Sequence, residues 1–136
     1  DKFILSIAVS PDFSNDNTIF VGTKWDGIYR SINIGESWIK TSSGTFSKRV
    51  QTIAISPVYA DDPQIFCGTV SGGIFTSTDN GQSWDPVFQG LNAINTIVVS
   101  PSFPTDQMLF AGSDHGIILR SKDGGKNWEE SFLLRE

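Results

Sequence analysis

Ser121-Lys122-Asp123-Gly124-Gly125-Lys126-Asn127-Trp128 is the third of three variants of one octapeptide. The others are Ser31-Ile32-Asn33-Ile34-Gly35-Glu36-Ser37-Trp38 and Ser77-Thr78-Asp79-Asn80-Gly81-Gln82-Ser83-Trp84. The offsets between them, 46 and then 44 residues, carry other identities too. Ser10-Pro11 falls on Ser56-Pro57 and Ser100-Pro101, and Asp16 on Asp62 and Asp106. Phe20-x-Gly22 falls on Phe66-x-Gly68 and Phe110-x-Gly112; Ile7 maps to Ile53 and Ile97, and Ile28 to Ile74 and Ile118. Each unit aligns without a gap from the serine before proline to the tryptophan. Self-similarity at a period near 45 residues is the signature of a repeat architecture.

Each unit reads as four short strands. The first is Leu5–Ser10, with Thr52–Ser56 and Thr96–Ser100; it is almost continuously apolar, as a strand buried on both faces would be. The second is Thr18–Thr23, with Gln64–Thr69 and Met108–Ser113, and the third Gly27–Ile32, with Gly73–Thr78 and Ile117–Lys122. The fourth starts at Ser37, Ser83 and Asn127 and carries Lys40, Asp85-Pro86 and Glu129-Glu130; charge and proline blunt a sheet edge, so it is expected outermost. No helix is expected. The predicted fold is all-β: three four-stranded antiparallel blades of a β-propeller in one segment, 1–136, with blades at about 3–47, 48–92 and 93–136.

The pattern Ser-x-Asp-x-Gly-x-x-Trp resembles the Asp box, or BNR repeat, of sialidases, sortilin-type receptors, two-propeller xyloglucanases and a photosystem II assembly factor. The resemblance covers essentially the whole chain and implies a propeller, but the box occurs in enzymes and binding proteins alike. As a hairpin device, Ser31, Ser77 and Ser121 with Asn33, Asp79 and Asp123 accept hydrogen bonds from turn N–H groups. Gly35, Gly81 and Gly125 supply positive φ, and Trp38, Trp84 and Trp128 are expected buried between blades. Asn33 departs from the pattern and loses the carboxylate's charge. Asp16, Asp62 and Asp106 are expected to fasten the loop between strands one and two; Asn15-Asp16-Asn17 and Asp61-Asp62 offer oxygens but lack a calcium-loop spacing, so no metal or other cofactor is assigned.

Ligands in the resembled family bind the face formed by the strand two–three loops and the connections between blades. On it lie Lys24, Trp25 and Asp26 in the first unit, Asp114 and His115 in the third, and Phe46, Lys48 and Arg49 between the first two. Trp25 falls outside the tryptophan period and is expected exposed; it can stack on a sugar ring or an apolar partner, or equally pack back on its own blade. Cys67 shares its position with Val21 and Ala111 and reads as core.

Composition excludes several functions. The net charge of −5 opposes nucleic-acid binding, and no apolar run approaches the length of a membrane span. The first residues carry no signal-peptide pattern; an extracytoplasmic or secreted location is implied by the resemblance alone. One cysteine allows no intrachain disulfide, and one histidine allows neither a multi-histidine metal site nor, without a serine partner, a catalytic triad. A sialidase-like site needs an arginine triad and a tyrosine nucleophile. Of the four arginines, Arg30 and Arg120 sit at one repeat position, Arg135 is terminal, and Arg49 alone is well placed. Tyr29 shares its position with Phe75 and Leu119, and Tyr59 with Phe13 and Phe103, which marks both as packing residues. Hydrolysis by two carboxylates leaves Asp26 and Asp114, in different blades. The sequence therefore points to a non-catalytic module binding a protein or carbohydrate, with a glycoside hydrolase fragment as the alternative. Three blades leave two apolar faces, the outer side of blade one (Ile7, Phe20, Ile28) and that of blade three (Val99, Phe110, Ile118). Further blades of a longer chain, or a second copy in a homodimer, are expected to cover them.

Overall fold

A computed structural model describes residues 2–41 and 49–132. It contains three four-stranded antiparallel sheets, each built from consecutive strands in chain order. The first comprises β1 (Ile4–Val9), β2 (Ile19–Thr23), β3 (Ile28–Ser31) and β4 (Ile39–Lys40). The second comprises β5 (Val50–Ile55), β6 (Ile65–Thr69), β7 (Gly73–Ser77) and β8 (Asp85–Gln89). The third comprises β9 (Ile94–Val99), β10 (Leu109–Ser113), β11 (Ile117–Ser121) and β12 (Glu129–Phe132). The fourth strand lies at the sheet edge in each blade, as its charges and proline predict. It starts two residues later than expected, because the serine or asparagine and the tryptophan belong to the turn. Two short helical turns, Phe13–Asp16 and the 3₁₀ turn Asp114–Gly116, interrupt what was expected to be helix-free chain. No helix among the described residues is long and apolar enough to cross a membrane.

The sheets meet through their first strands, β1 against β5 and β5 against β9. Two apolar clusters fill the wedges between neighbours. Phe20, Ile28, Ile53, Cys67, Phe75 and Trp84 join blades one and two. Ala54, Phe66, Ile97, Phe103, Ala111 and Leu119 join blades two and three. Burial pushes the Cys67 thiol well above its usual range, as befits a small core residue.

Strand register assigns every side chain to one face or the other. Ile7 lies opposite Val21, and Val21 opposite Tyr29, while Ala8, Phe20 and Arg30 line the other face. The corresponding sets are Ile53–Cys67–Phe75 against Ala54–Phe66–Thr76, and Ile97–Ala111–Leu119 against Val98–Phe110–Arg120. This corrects the expected outer faces. Phe20 and Ile28 are fully buried against blade two, and Val99 packs into the second cluster. The period of two puts Ile7, Val21 and Tyr29 on the open side of blade one, and Val98, Phe110 and Ile118 on that of blade three. Ile7 is 65% exposed although β1 is almost wholly apolar, because no neighbouring sheet covers its face among the described residues.

The same asymmetry divides the three tryptophans. Trp84 is 8% exposed and Trp128 is half-buried against the second cluster, but Trp38, expected buried between blades, is 38% exposed. Trp84 and Trp128 pack toward the preceding blade, and the described residues include no blade on that side of Trp38.

The three turns share one hydrogen-bond scheme. The serine hydroxyl donates to the Asn or Asp side chain and accepts from the glycine N–H, at 2.8 Å for Gly35, 3.0 Å for Gly81 and 2.8 Å for Gly125. The same Asn or Asp oxygen accepts the N–H of residue 37, 83 or 127. In blade one the outer bond reverses polarity: Asn33 Nδ2 donates to Ser37 Oγ at 2.7 Å, where Asp79 accepts from the Ser83 hydroxyl. On the same side of the blades, Asp16, Asp62 and Asp106 accept from the Ser10, Ser56 and Ser100 hydroxyls and so clasp the strand one–two loops.

Candidate functional site

In each blade the strand two–three loop lies beside the entrance to the first strand. Lys24 N–H donates to the Phe3 carbonyl, Val70 N–H to that of Arg49, and Ser113 Oγ to that of Ala93. The loops and the blade entrances thus form one face, opposite the serine-aspartate turns. Of the residues expected here, Phe46 and Lys48 lie outside the described residues.

At blade one the Thr23 hydroxyl donates to the Gly27 carbonyl and accepts the Asp26 N–H, which fixes the loop. Asp26 accepts from the Tyr29 hydroxyl, from Lys40 Nζ at 2.9 Å and from Lys2 Nζ at 3.1 Å. These bonds, the Tyr29 bond foremost, hold its carboxyl far below the usual carboxylate range. The Lys2 ammonium is raised in turn, by its bond and its attraction to Asp26. Trp25 is 57% exposed, as its position outside the period predicts. Lys24 Nζ lies 5.0 Å from the Trp25 ring centre and 5.5 Å from that of Phe3, bridging two exposed aromatic rings.

A second network crosses from blade two to blade three. Arg49 Nε donates to Gln51 Oε1 at 3.1 Å, Gln51 Nε2 to Asn95 Oδ1 at 3.1 Å, and Asn95 Nδ2 to Asp114 Oδ1 at 2.8 Å. Two carboxamides therefore link the expected site residues Arg49 and Asp114. Gln51 and Asn95 occupy the irregular position near the start of β5 and β9 where ladder pairing skips a residue. His115 is exposed beside Asp114 and adopts φ 63°, in the left-handed region.

The structure thus joins Arg49 to Asp114 and ties Asp26 into a separate cluster with Lys2, Lys40 and Tyr29. Sequence reasoning missed Gln51 and Asn95, although a signal existed: they are polar where Leu5 stands in the first repeat, inside an otherwise apolar strand. It also treated Tyr29 as packing alone, whereas its hydroxyl reaches the loop. Arg30 does serve the framework, donating through Nη1 to the Asn80 carbonyl at 2.7 Å, and Arg120 pairs with Glu129 at 2.7 Å. Tyr59 is buried, its hydroxyl bonded to Asn80 Oδ1, and burial raises it to about 12. A hydrolytic carboxyl pair requires a protonated acid opposite a second carboxylate. Asp26 is held ionised by two ammonium groups and a phenol, so it is not arranged as that acid, while Asp114 accepts the Asn95 amide N–H.

No family model and no curated protein matches the chain. Solved structures do match. The chain is similar to an ancestral GH74 enzyme at 22% identity and TM-score 0.80, covering 96% of this chain and 18% of that one. It is similar to YCF48 bound to a D1 peptide, at 17% identity and TM-score 0.73, covering 95% and 40%. It is also similar to the GH74 xyloglucanase from Xanthomonas campestris, at 19% identity and TM-score 0.73, covering 96% and 22%. The chain spans less than half the length of each. Likeness at such identities shows the fold, and with the three antiparallel sheets it establishes that this chain is three blades of a β-propeller.

Proposed function

We propose that the chain is an Asp-box (BNR) propeller segment whose strand two–three loop face binds a protein or carbohydrate ligand without catalysing a reaction on it. The single observation that carries this reading is the polar track Arg49–Gln51–Asn95–Asp114, which spans two blades and offers donors and acceptors but no opposed acid and base. Lys24 and Trp25 extend the same face with a cation and an exposed aromatic surface, the combination that grips sugar rings and peptide side chains. His115 stands beside the track's acidic end. The two serine-aspartate turns and the serine-asparagine turn, which share the serine and glycine hydrogen bonds, support the Asp-box assignment. The peptide bound to YCF48 offers a precedent for a ligand on this fold.

The test combines a glycan array and a peptide array with a general glycosidase assay on the same preparation. Binding without turnover is expected, and Asn95→Leu should weaken it about tenfold, the cost of one lost hydrogen bond at an interface. Glycoside turnover that survives repurification and vanishes in Asp114→Asn would overturn the proposal and favour a glycoside hydrolase segment instead.

A further inference from the structure

We infer, resting on the loop face as the ligand site proposed above, that Arg49 and Asp114 set the direction of the two carboxamides between them and so fit the track to the backbone edge of an extended peptide. A carboxamide can be turned end for end, and its neighbours decide which way it lies. Here the neighbours leave one arrangement. A guanidinium only donates, so the Gln51 atom that meets Arg49 Nε is Oε1, at 3.1 Å. That turns Gln51 Nε2 to Asn95, which answers with Oδ1, at 3.1 Å. Asn95 Nδ2 then meets Asp114, whose carboxylate only accepts, at 2.8 Å. Every donor faces an acceptor, and the order cannot reverse while Arg49 and Asp114 stand at its ends.

The track uses one N–H and one oxygen lone pair of each carboxamide, and a second of each kind remains. From the Arg49 end the remaining groups run acceptor, donor, acceptor, donor. An extended peptide offers the complement along one edge: the N–H and C=O of one residue, then those of the residue two further on. Each carboxamide can therefore hold one peptide residue by two bonds. Hydroxyl groups do not need this order, because a hydroxyl donates or accepts as it rotates. A track of fixed polarity discriminates only among ligands whose own polarity is fixed. The surroundings favour the same ligand. Val70, whose N–H donates to the Arg49 carbonyl, is exposed, and Leu91 is fully exposed beside Gly90, whose N–H donates to the Gly72 carbonyl. Both lie on the loop face with blades on either side, away from the ends of the chain. Such aliphatic groups suit the alternate side chains of a strand held by its backbone. The hydroxyl rim of a sugar would lose hydration against them.

Terminally blocked peptides and a glycan array are the probes, applied to the whole chain. Peptides with apolar residues should bind. N-methylation of single backbone amides in a bound peptide should weaken it about tenfold at two residues, two apart, and little at the residue between them. Asp114→Lys sets donor against donor at Asn95, and Arg49→Glu sets acceptor against acceptor at Gln51; each should weaken the peptide about tenfold. The two together leave the net charge unchanged and complete the track in the opposite sense. Hydrogen exchange of the Asn95 side-chain amide should quicken in Asp114→Lys and slow again in the pair, while the pair still fails to recover the parental peptide affinity. Recovery of that affinity would overturn the inference, because polarity would then be irrelevant, and so would exchange that stays fast in the pair. A chain that binds no peptide would overturn it too. If that chain binds a glycan instead, weakened by Asn95→Leu, the loop face stands as a ligand site; glycoside turnover lost in Asp114→Asn would overturn both readings.

Discussion

Ile34 holds φ 68° on the exposed side of the first turn, where blade two has Asn80 at 64° and blade three Gly124 at 75°. A β-branched side chain in the left-handed region is strained, asparagine much less and glycine hardly at all. Ile34→Gly should therefore raise stability by about 1 kcal/mol, read as a higher denaturant midpoint with unchanged slope. The octapeptide identified the glycine one residue later as the positive-φ position, correctly. It did not reveal that its predecessor shares that conformation, because three different residue types occupy the position. The neighbouring acid makes a second prediction. Asn127's side chain and backbone N–H bind the Asp123 carboxylate and hold it below the usual carboxylate range. A depressed acid stabilises the fold above its unfolded-state pKa, and that contribution is lost as pH falls through the folded value. Asp123→Asn should be less stable than the parent at pH 7, and the gap should close below about pH 4. A gap independent of pH would mean that shape, not charge, accounts for it.

Among the strands, position in the row of blades decides what a repeated residue is worth. Trp84 fills the wedge between two sheets and donates through Nε1 to the Gly81 carbonyl at 2.9 Å. Trp84→Ala should cost about 3–5 kcal/mol, as truncation of a buried aromatic does. Trp38→Ala should cost clearly less, since that ring is 38% exposed and no second sheet packs on it among the described residues. Equal losses in chemical denaturation would contradict the placement of the blade faces. The central strands were legible because β-branched and aromatic runs end at fixed glycine and serine positions. The fourth strand was less so: its residues pair on one side only, and polar side chains there do not alternate by burial.

For the whole molecule, the repeat disclosed the blade count and the strand order, and the solved structures it is similar to bear out the propeller. What aligned positions did not disclose was facing. Ile7, Phe20 and Ile28 recur together in sequence, but antiparallel register sets Ile7 opposite Val21 and turns Phe20 and Ile28 to the other side. Partners across a ladder are fixed by turn geometry rather than by repeat offset. The candidate site was half legible for a related reason. Loop residues such as Trp25 and Asp114 are conspicuous against a repeating background, whereas Gln51 and Asn95 are hidden inside strands.

Those two residues stand where the innermost strands drop one residue from the ladder, as Leu5 does in the first. A side chain at such a place leaves the paired register of its sheet undisturbed. The propeller therefore separates what it must keep from what it is free to change. Phenylalanine, glycine and tryptophan fasten one blade to the next, and a single interchangeable letter per blade rewrites the surface around the axis. Exchanging leucine, glutamine and asparagine among these three positions would remodel that surface while the framework stays constant.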